Sequence, residues 1–151
     1  MTTESTQQQL LAFLREHQVL TLAVDGPYAA ALFFTVDDAL NLFVVTDPAT
    51  QHGTAMAAAG RVAGTIQRDR QRWQEIRGVQ FTGQCERLTG AARAAGWQLY
   101  LQRFANREIE ELAPALAKVD LWKITTDWMR LIDNRQGFGH KAEWTRPHPT
   151  T

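Results

Sequence analysis

The stretch Asp47-Pro48-Ala49-Thr50-Gln51-His52 holds the residues of this chain whose types and spacing suit chemistry on a ligand. It follows the β-forming run Leu42-Phe43-Val44-Val45-Thr46 and reads as a helix start. Asp47 or Thr50 is a suitable cap, and Pro48 suits a first helical position. An exposed helix start leaves backbone N–H groups without intrahelical partners, and phosphate groups bind there. The expectation is a small β-protein that holds a phosphate-bearing ligand.

Other reactive side chains carry less. Ser5 is the lone serine and falls in what reads as a loose tail, which argues against a serine-nucleophile hydrolase. Cys85 lies within a strand pattern with no histidine nearby in sequence, so it reads as a packed thiol. With a single cysteine, an intramolecular disulfide and a four-thiolate metal site are both excluded. His140 and Glu143 have a spacing that could share a metal on a helix, but Gly137-Phe138-Gly139 breaks helix there, and no metal site is expected. Asp37-Asp38 reads as a pair of turn acids between strands. Arg61, Arg68, Arg70, Arg72 and Arg77 face only Asp69 and Glu75 in their stretch. The plain reading is a solvated hairpin; the functional one is a set of cations for a phosphate.

The elements that position these residues follow from the pattern. Thr6-Gln7-Gln8-Gln9 has capping-box form, and Leu10, Leu11 and Leu14 give an amphipathic helix to about His17. Val19 to Val24 reads as a strand ending at the turn Asp25-Gly26-Pro27, and Tyr28 to Val36 as a second strand. Ala55 to Ala59 continues the helix after His52, with Gly60 as its stop. Arg61 to Gln67 and Gly78 to Leu88 read as strands, with Val79 and Phe81 inward and Gln80 and Thr82 on the opposite face. Thr89 caps a helix whose Trp97, Tyr100, Leu101 and Phe104 repeat at helical spacing, and Glu108 to Leu112 adds a turn or two. Leu121 to Thr125 and Met129 to Ile132 return to β structure. In the second strand, Ala29, Ala30 and Ala31 are small enough for a flat ring to approach the backbone, with Phe33 and Phe34 beside it.

Sixteen basic and sixteen acidic residues leave no net charge, so nothing global draws the chain to nucleic acid or an anionic membrane. Hydrophobic content of 44% is that of an ordinary globular protein, and the apolar runs are strand-sized, far short of a membrane span. No secretory signal is visible at the N-terminus, so the cytoplasm is the expected address.

The order Asp25-Gly26-Pro27-Tyr28, Ala29 to Phe34, Leu42 to Thr46 and Thr50-Gln51-His52 resembles the pyridoxamine-phosphate-oxidase-like family of flavin-binding split β-barrels. Within it, Arg77-Gly78-Val79-Gln80-Phe81 and Gly137-Phe138-Gly139 resemble the YhbP-like branch. The resemblance implies an α+β fold: a split β-barrel, mainly antiparallel and Greek-key, of about six to seven strands with flanking helices. Residues 1–144 form one domain in this reading, and 145–151 a flexible tail. It further implies a homodimer with FMN in two equivalent interface clefts. By the same resemblance Thr46, Thr50, Gln51 and His52 approach the flavin phosphate, and Ala30, Ala31, Leu32, Phe33 and Phe34 run along the isoalloxazine. Gln80 is contributed by the partner, Trp144 either walls the pocket or packs in the core, and Lys141 or His140 lies on the substrate side.

Where the family commonly has Lys or Arg, this chain has His52, which brings no full charge unless protonated. The implied activity is flavin-dependent hydride or electron transfer to a small molecule. Pyridoxamine phosphate oxidation itself is not expected, because the longer C-terminal segment rich in Arg and His is absent from the sequence given. Two other readings stand beside it: a binding module for haem, a deazaflavin or another metabolite on the same scaffold, and a purely structural dimer.

Overall fold

The computed structural model describes residues 3–104, 114 and 117–148. Seven strands and three helices follow in the order α1 (Thr3–Arg15), β1 (Val19–Val24), β2 (Tyr28–Val36), β3 (Asn41–Thr46), α2 (Gln51–Ala59), β4 (Arg61–Gln67), β5 (Arg77–Arg87), α3 (Gly90–Arg103), β6 (Asp120–Asp133) and β7 (Lys141–Thr145) among the described residues. The sheet runs β3-β2-β1-β4-β5-β6-β7, every pair that is hydrogen-bonded being antiparallel. A further β3–β6 pairing, Asn41 against Thr125 through Thr46 against Asp120, closes the first six into a barrel. The connection from β3 back to β4 beside β1 is the Greek-key step. This is the α+β split barrel expected from the sequence.

Closure follows from alternation. Leu20, Leu22, Leu42, Val44, Val62, Ile66, Val79 and Phe81 point inward from their strands and form one core. Phe13 and Leu14 of α1 join that core, as does Met56 of α2. α2 therefore stands at the end where β3 stops and β4 starts, while the C-terminal end of α1 meets the opposite end, beside β7 and the β4–β5 connection. A separate cluster of Phe43, Leu88 and Leu121 lies outside the barrel, where α3 lays Trp97 and Leu99 over β3. Gly96 sets how closely α3 approaches: a Cβ there would come within 2.9 Å of Leu88 and 3.2 Å of Leu121.

Several boundaries differ from expectation. α1 starts at Thr3, so Thr6 and Ser5 are helical rather than cap and loose tail. β6 is one strand of fourteen residues, not two segments. Its register shifts opposite Thr82/Gly83, because Asp127 is an extra residue in the ladder. The bulged Asp127 accepts a hydrogen bond from the Thr82 hydroxyl and pairs with Arg61 at 3.0 Å. β7 runs to Thr145, and Arg146 donates to the carbonyls of Thr126 (2.5 Å) and Ala39 (2.9 Å). The expected turns at Glu108 to Leu112 lie outside the described residues.

Where β6 ends, Asp133 organises the turn that follows. Its buried carboxylate takes two 3.0 Å contacts from the Arg135 guanidinium, a third from the Arg135 N–H at 3.0 Å and one from Gln136 at 3.2 Å. The Arg135 bonds outweigh the cost of burial and hold the carboxyl at about 2, below the ordinary 3.8. A depressed carboxyl stabilises the fold at pH above the unfolded value and loses that contribution as pH falls from about 4 to 2. Asp133→Asn is expected to remove about 2 kcal/mol, or roughly 4–8 °C in Tm, at neutral pH. Thermal melts at stepped pH check this: the gap between the two proteins should close between about pH 4 and 2.

Candidate functional site

The turn from β3 into α2 is built by two threonines and a glycine. Thr46 points inward, buried, and its hydroxyl oxygen accepts a 2.8 Å bond from the Trp122 indole N–H. Thr50 is the helix cap: its extended backbone (φ −74°, ψ 155°) lets the hydroxyl accept from the Gly53 N–H while donating to the Asp47 carbonyl at 2.8 Å. Pro48 accordingly lies in the turn before the cap. Asp47 does not cap the helix; its carboxylate accepts the Ala49 N–H at 2.8 Å. A Cβ at Gly53 would stand 2.9 Å from the Asp47 carbonyl and 3.0 Å from the Thr50 hydroxyl, so the turn closes this tightly only around glycine. At the far end, Gly60 stops the helix in the left-handed region (φ 69°).

This geometry divides labour among the residues picked out by sequence. Both threonine hydroxyls are engaged in holding the turn. What remains toward a ligand are the N–H groups of Gln51 and His52, which make no hydrogen bond to a described residue, and the His52 imidazole. Half-buried His52 has its Nε2 3.5 Å from the Thr50 hydroxyl. Two free N–H groups at the positive end of a helix, with an imidazole beside them, suit a phosphate oxygen. The set lacks a fixed cation. A groove of about 600 Å³ runs beside this helix, lined in part by Tyr28, Ala49, Gln51 and Thr54.

The outer face of the barrel adjoins this turn. Ladder register places Ala31, Thr21, Thr65, Gln80, Arg130 and Glu143 in one row across β2, β1, β4, β5, β6 and β7. The next row carries Ala29, Ala23, Ala63, Thr82 and Trp128. These small side chains leave a shallow groove of about 370 Å³ lined by residues of both rows. Phe33 is 57% exposed at its edge and Val19 45%. Gln80 is not free to turn: its side-chain oxygen accepts from Arg130 Nη2 at 2.6 Å and Nε at 3.1 Å, and Arg130 also reaches Glu143 at 3.6 Å. Arg130 escaped notice in the sequence, although its alternation with Trp128 and Ile132 marks it as outward-facing.

The other expected residues fall in different places. Of the β2 set, Ala31 and Phe33 face outward, while Ala30 and Leu32 take the inward parity and Phe34 is fully buried. A ring laid on the outer face therefore meets the side chains of Ala31 and Phe33 but only the backbone at the others. Trp144 is in the core, 2% exposed, with its ring beneath the Arg146 guanidinium at 5.1 Å. Lys141 is exposed at the start of β7, at the barrel end remote from α2 in the same chain. The β4–β5 connection that carries Arg68, Arg70 and Arg72 is likewise at that remote end, so these cations do not stand in for the one missing at His52 within one chain. Cys85 is buried beneath α2, its thiol 3.6 Å from the Met56 carbonyl, and burial pushes its pKa up. No helix among the described residues is long and apolar enough to cross a membrane.

No protein-family model matches the chain. Its sequence is 35% identical over 138 residues to the UPF0306 protein YhbP of Salmonella paratyphi B, covering 89% of each chain. Among solved structures, a Clostridium acetobutylicum protein described as related to general stress protein 26 and as of the pyridoxinephosphate oxidase family has a TM-score of 0.68 at 12% identity, covering 96% of both chains. A haem-binding protein from Mycobacterium smegmatis has a TM-score of 0.73 at 16% identity, covering 96% of this chain and 58% of that one. At such identities the two structures speak for the fold alone. Similarity to YhbP along nearly its whole length, on a split barrel of the pyridoxamine-phosphate-oxidase-like type, means that the chain belongs to the UPF0306 (YhbP) family.

Proposed function

We propose that the protein is a homodimeric flavin-binding split barrel that holds FMN between the α2 entrance of one subunit and the outer face of the other. The observation that carries this reading is the row Ala31–Thr21–Thr65–Gln80, a small-residue surface that begins on β2, the strand paired with the β3 that leads into α2. Strands in a sheet lie ~4.8 Å apart, so Gln80 stands roughly 14 Å from Ala31 in its own chain. A two-fold axis running along the strands between β1 and β4 exchanges the two ends of that row. It sets the partner's Gln80 opposite Ala31 and the partner's Arg130 opposite the turn after β3. The small pairs Thr21/Thr65 and Ala23/Ala63 then meet at the axis, where close approach is needed.

The residues divide the work accordingly. The N–H groups of Gln51 and His52 and the imidazole hold the phosphate, and the Ala31 backbone lies along the ring. Gln80, fixed by Arg130, presents its amide N–H groups to a polar ring edge. The bound flavin supplies hydride or electron transfer to a small molecule. His52→Lys supplies the absent cation and is expected to tighten FMN binding about tenfold, or ~1.4 kcal/mol. Fluorescence titration of FMN measures it; an unchanged Kd would place His52 away from the phosphate.

A second reading keeps the cleft and changes the ligand. Its support is His52 itself, an imidazole where a phosphate-binding cation is usual in the resembled family, in a fold shared with a haem-binding protein. Haem, a deazaflavin or another metabolite then occupies the site. A Soret band on adding haemin, with no retained FMN, distinguishes it.

A further inference from the structure

At the barrel end opposite α2, a cleft of about 600 Å³ opens between the end of α1, the β4–β5 connection and the turn after β6. Arg68, Arg70, Arg77 and Arg135 line it against Glu16 and Glu75. Asp133 lies beneath and holds Arg135 with two 3.0 Å bonds. Arg77, half-buried, packs its guanidinium over the Phe13 ring at 5.1 Å and reaches Glu16 only at 3.4 Å and Asp133 at 3.9 Å. Its Nε is buried with no hydrogen-bond partner among the described residues, a costly state for a charged group. Neither Arg68 nor Arg70 makes an ion pair with a described residue. Arg70 also adopts the left-handed backbone (φ 55°), strained for a residue with a side chain.

An exposed arginine on a hairpin needs no explanation. Four of them around one concavity do, because like charges in a cleft repel and their field is focused by its walls. The walls are also rigid: Asn134 accepts the Gly139 N–H, donates its own N–H to the Ile76 carbonyl, and donates its side-chain amide to the Trp73 carbonyl at 2.7 Å. The lining carries four guanidinium groups and two carboxylates, and with the ionised Asp133 beneath them the excess is one positive charge. A phosphate monoester carries about −1.5 to −2 at neutral pH and offers three acceptor oxygens to guanidinium forks.

We propose that this cleft binds a small phosphorylated metabolite, through Arg68, Arg70 and Arg77, at a site separate from the α2 entrance. The assignment does not depend on the flavin reading. Isothermal titration with pyrophosphate, inorganic phosphate and succinate tests it. Saturable pyrophosphate binding in the submillimolar range is expected, tighter than succinate by tenfold or more. The Arg68→Gln/Arg70→Gln protein should lose at least tenfold in pyrophosphate affinity while melting where the wild type does without ligand, since both side chains are exposed and unpaired. No saturation below about 10 mM, equal affinity for succinate, or unchanged binding in the double variant would each overturn the proposal.

Discussion

Ala31→Glu is expected to leave the chain folded but monomeric, and to abolish flavin retention. Ala31 faces outward from β2 at the end of the row that runs through Thr21 and Thr65 to Gln80. In the free chain a carboxylate there points to water, so the monomer's own stability should move little. In the proposed dimer the same carboxylate is pressed against Gln80 of the partner subunit and close to the flavin ring, where the neighbouring guanidinium, Arg130, is already engaged by Gln80 and Glu143. Burying an unpaired charge costs several kcal/mol, enough to raise the dimer Kd by about a hundredfold or more. Light scattering reads the mass and visible absorbance the flavin. An Ala31→Glu protein that remains a flavin-loaded dimer would move the interface off this face.

Gly64→Ala is expected to destabilise the barrel by about 3 kcal/mol or more, roughly 6–12 °C in Tm. A Cβ at this position would lie 2.4 Å from Cζ and 2.6 Å from Cε1 of Phe81, and 2.6 Å from the Thr21 carbonyl oxygen. The carbonyl belongs to the neighbouring strand and cannot move without breaking the ladder, so the strain falls on Phe81. That ring is 1% exposed and fills the middle of the core. Displacing it leaves a void as well as an overlap, and both terms destabilise. Pairing the change with Phe81→Leu makes room and should recover part of the loss, giving a coupling of about 1 kcal/mol in a double-mutant cycle. A Gly64→Ala protein within about 0.5 kcal/mol of wild type would mean that the two strands part readily here.

The strands were legible because the chain alternates strictly where one face is buried. Val79 and Phe81 turn inward and Gln80 and Thr82 outward, as the pattern alone required. α2 was legible from its stop, since Gly60 takes a backbone that favours glycine. Its start was legible only as a choice between Asp47 and Thr50, because both can accept an N–H and the turn geometry decides. β6 reads as two segments in the sequence because the bulge at Asp127 interrupts the period of two, and nothing local announces a bulge. Trp144 stands open in the sequence between pocket wall and packing, and Arg146 falls in the stretch that reads as a tail. Their positions are set by α1 and by the carbonyls of Ala39 and Thr126, contacts made across most of the chain. The Arg-rich connection was visible as composition, but which end of the barrel it occupied required the strand order.

The most direct measurement on the flavin reading is a visible spectrum of the purified protein, mixed with FMN and freed of excess, taken together with its mass in solution. Flavin bands at one FMN per chain, on a particle of twice the 17.0 kDa chain mass, are the predicted result. A colourless protein that releases all of the added FMN, or a monomer that keeps it, would contradict a flavin held between two subunits.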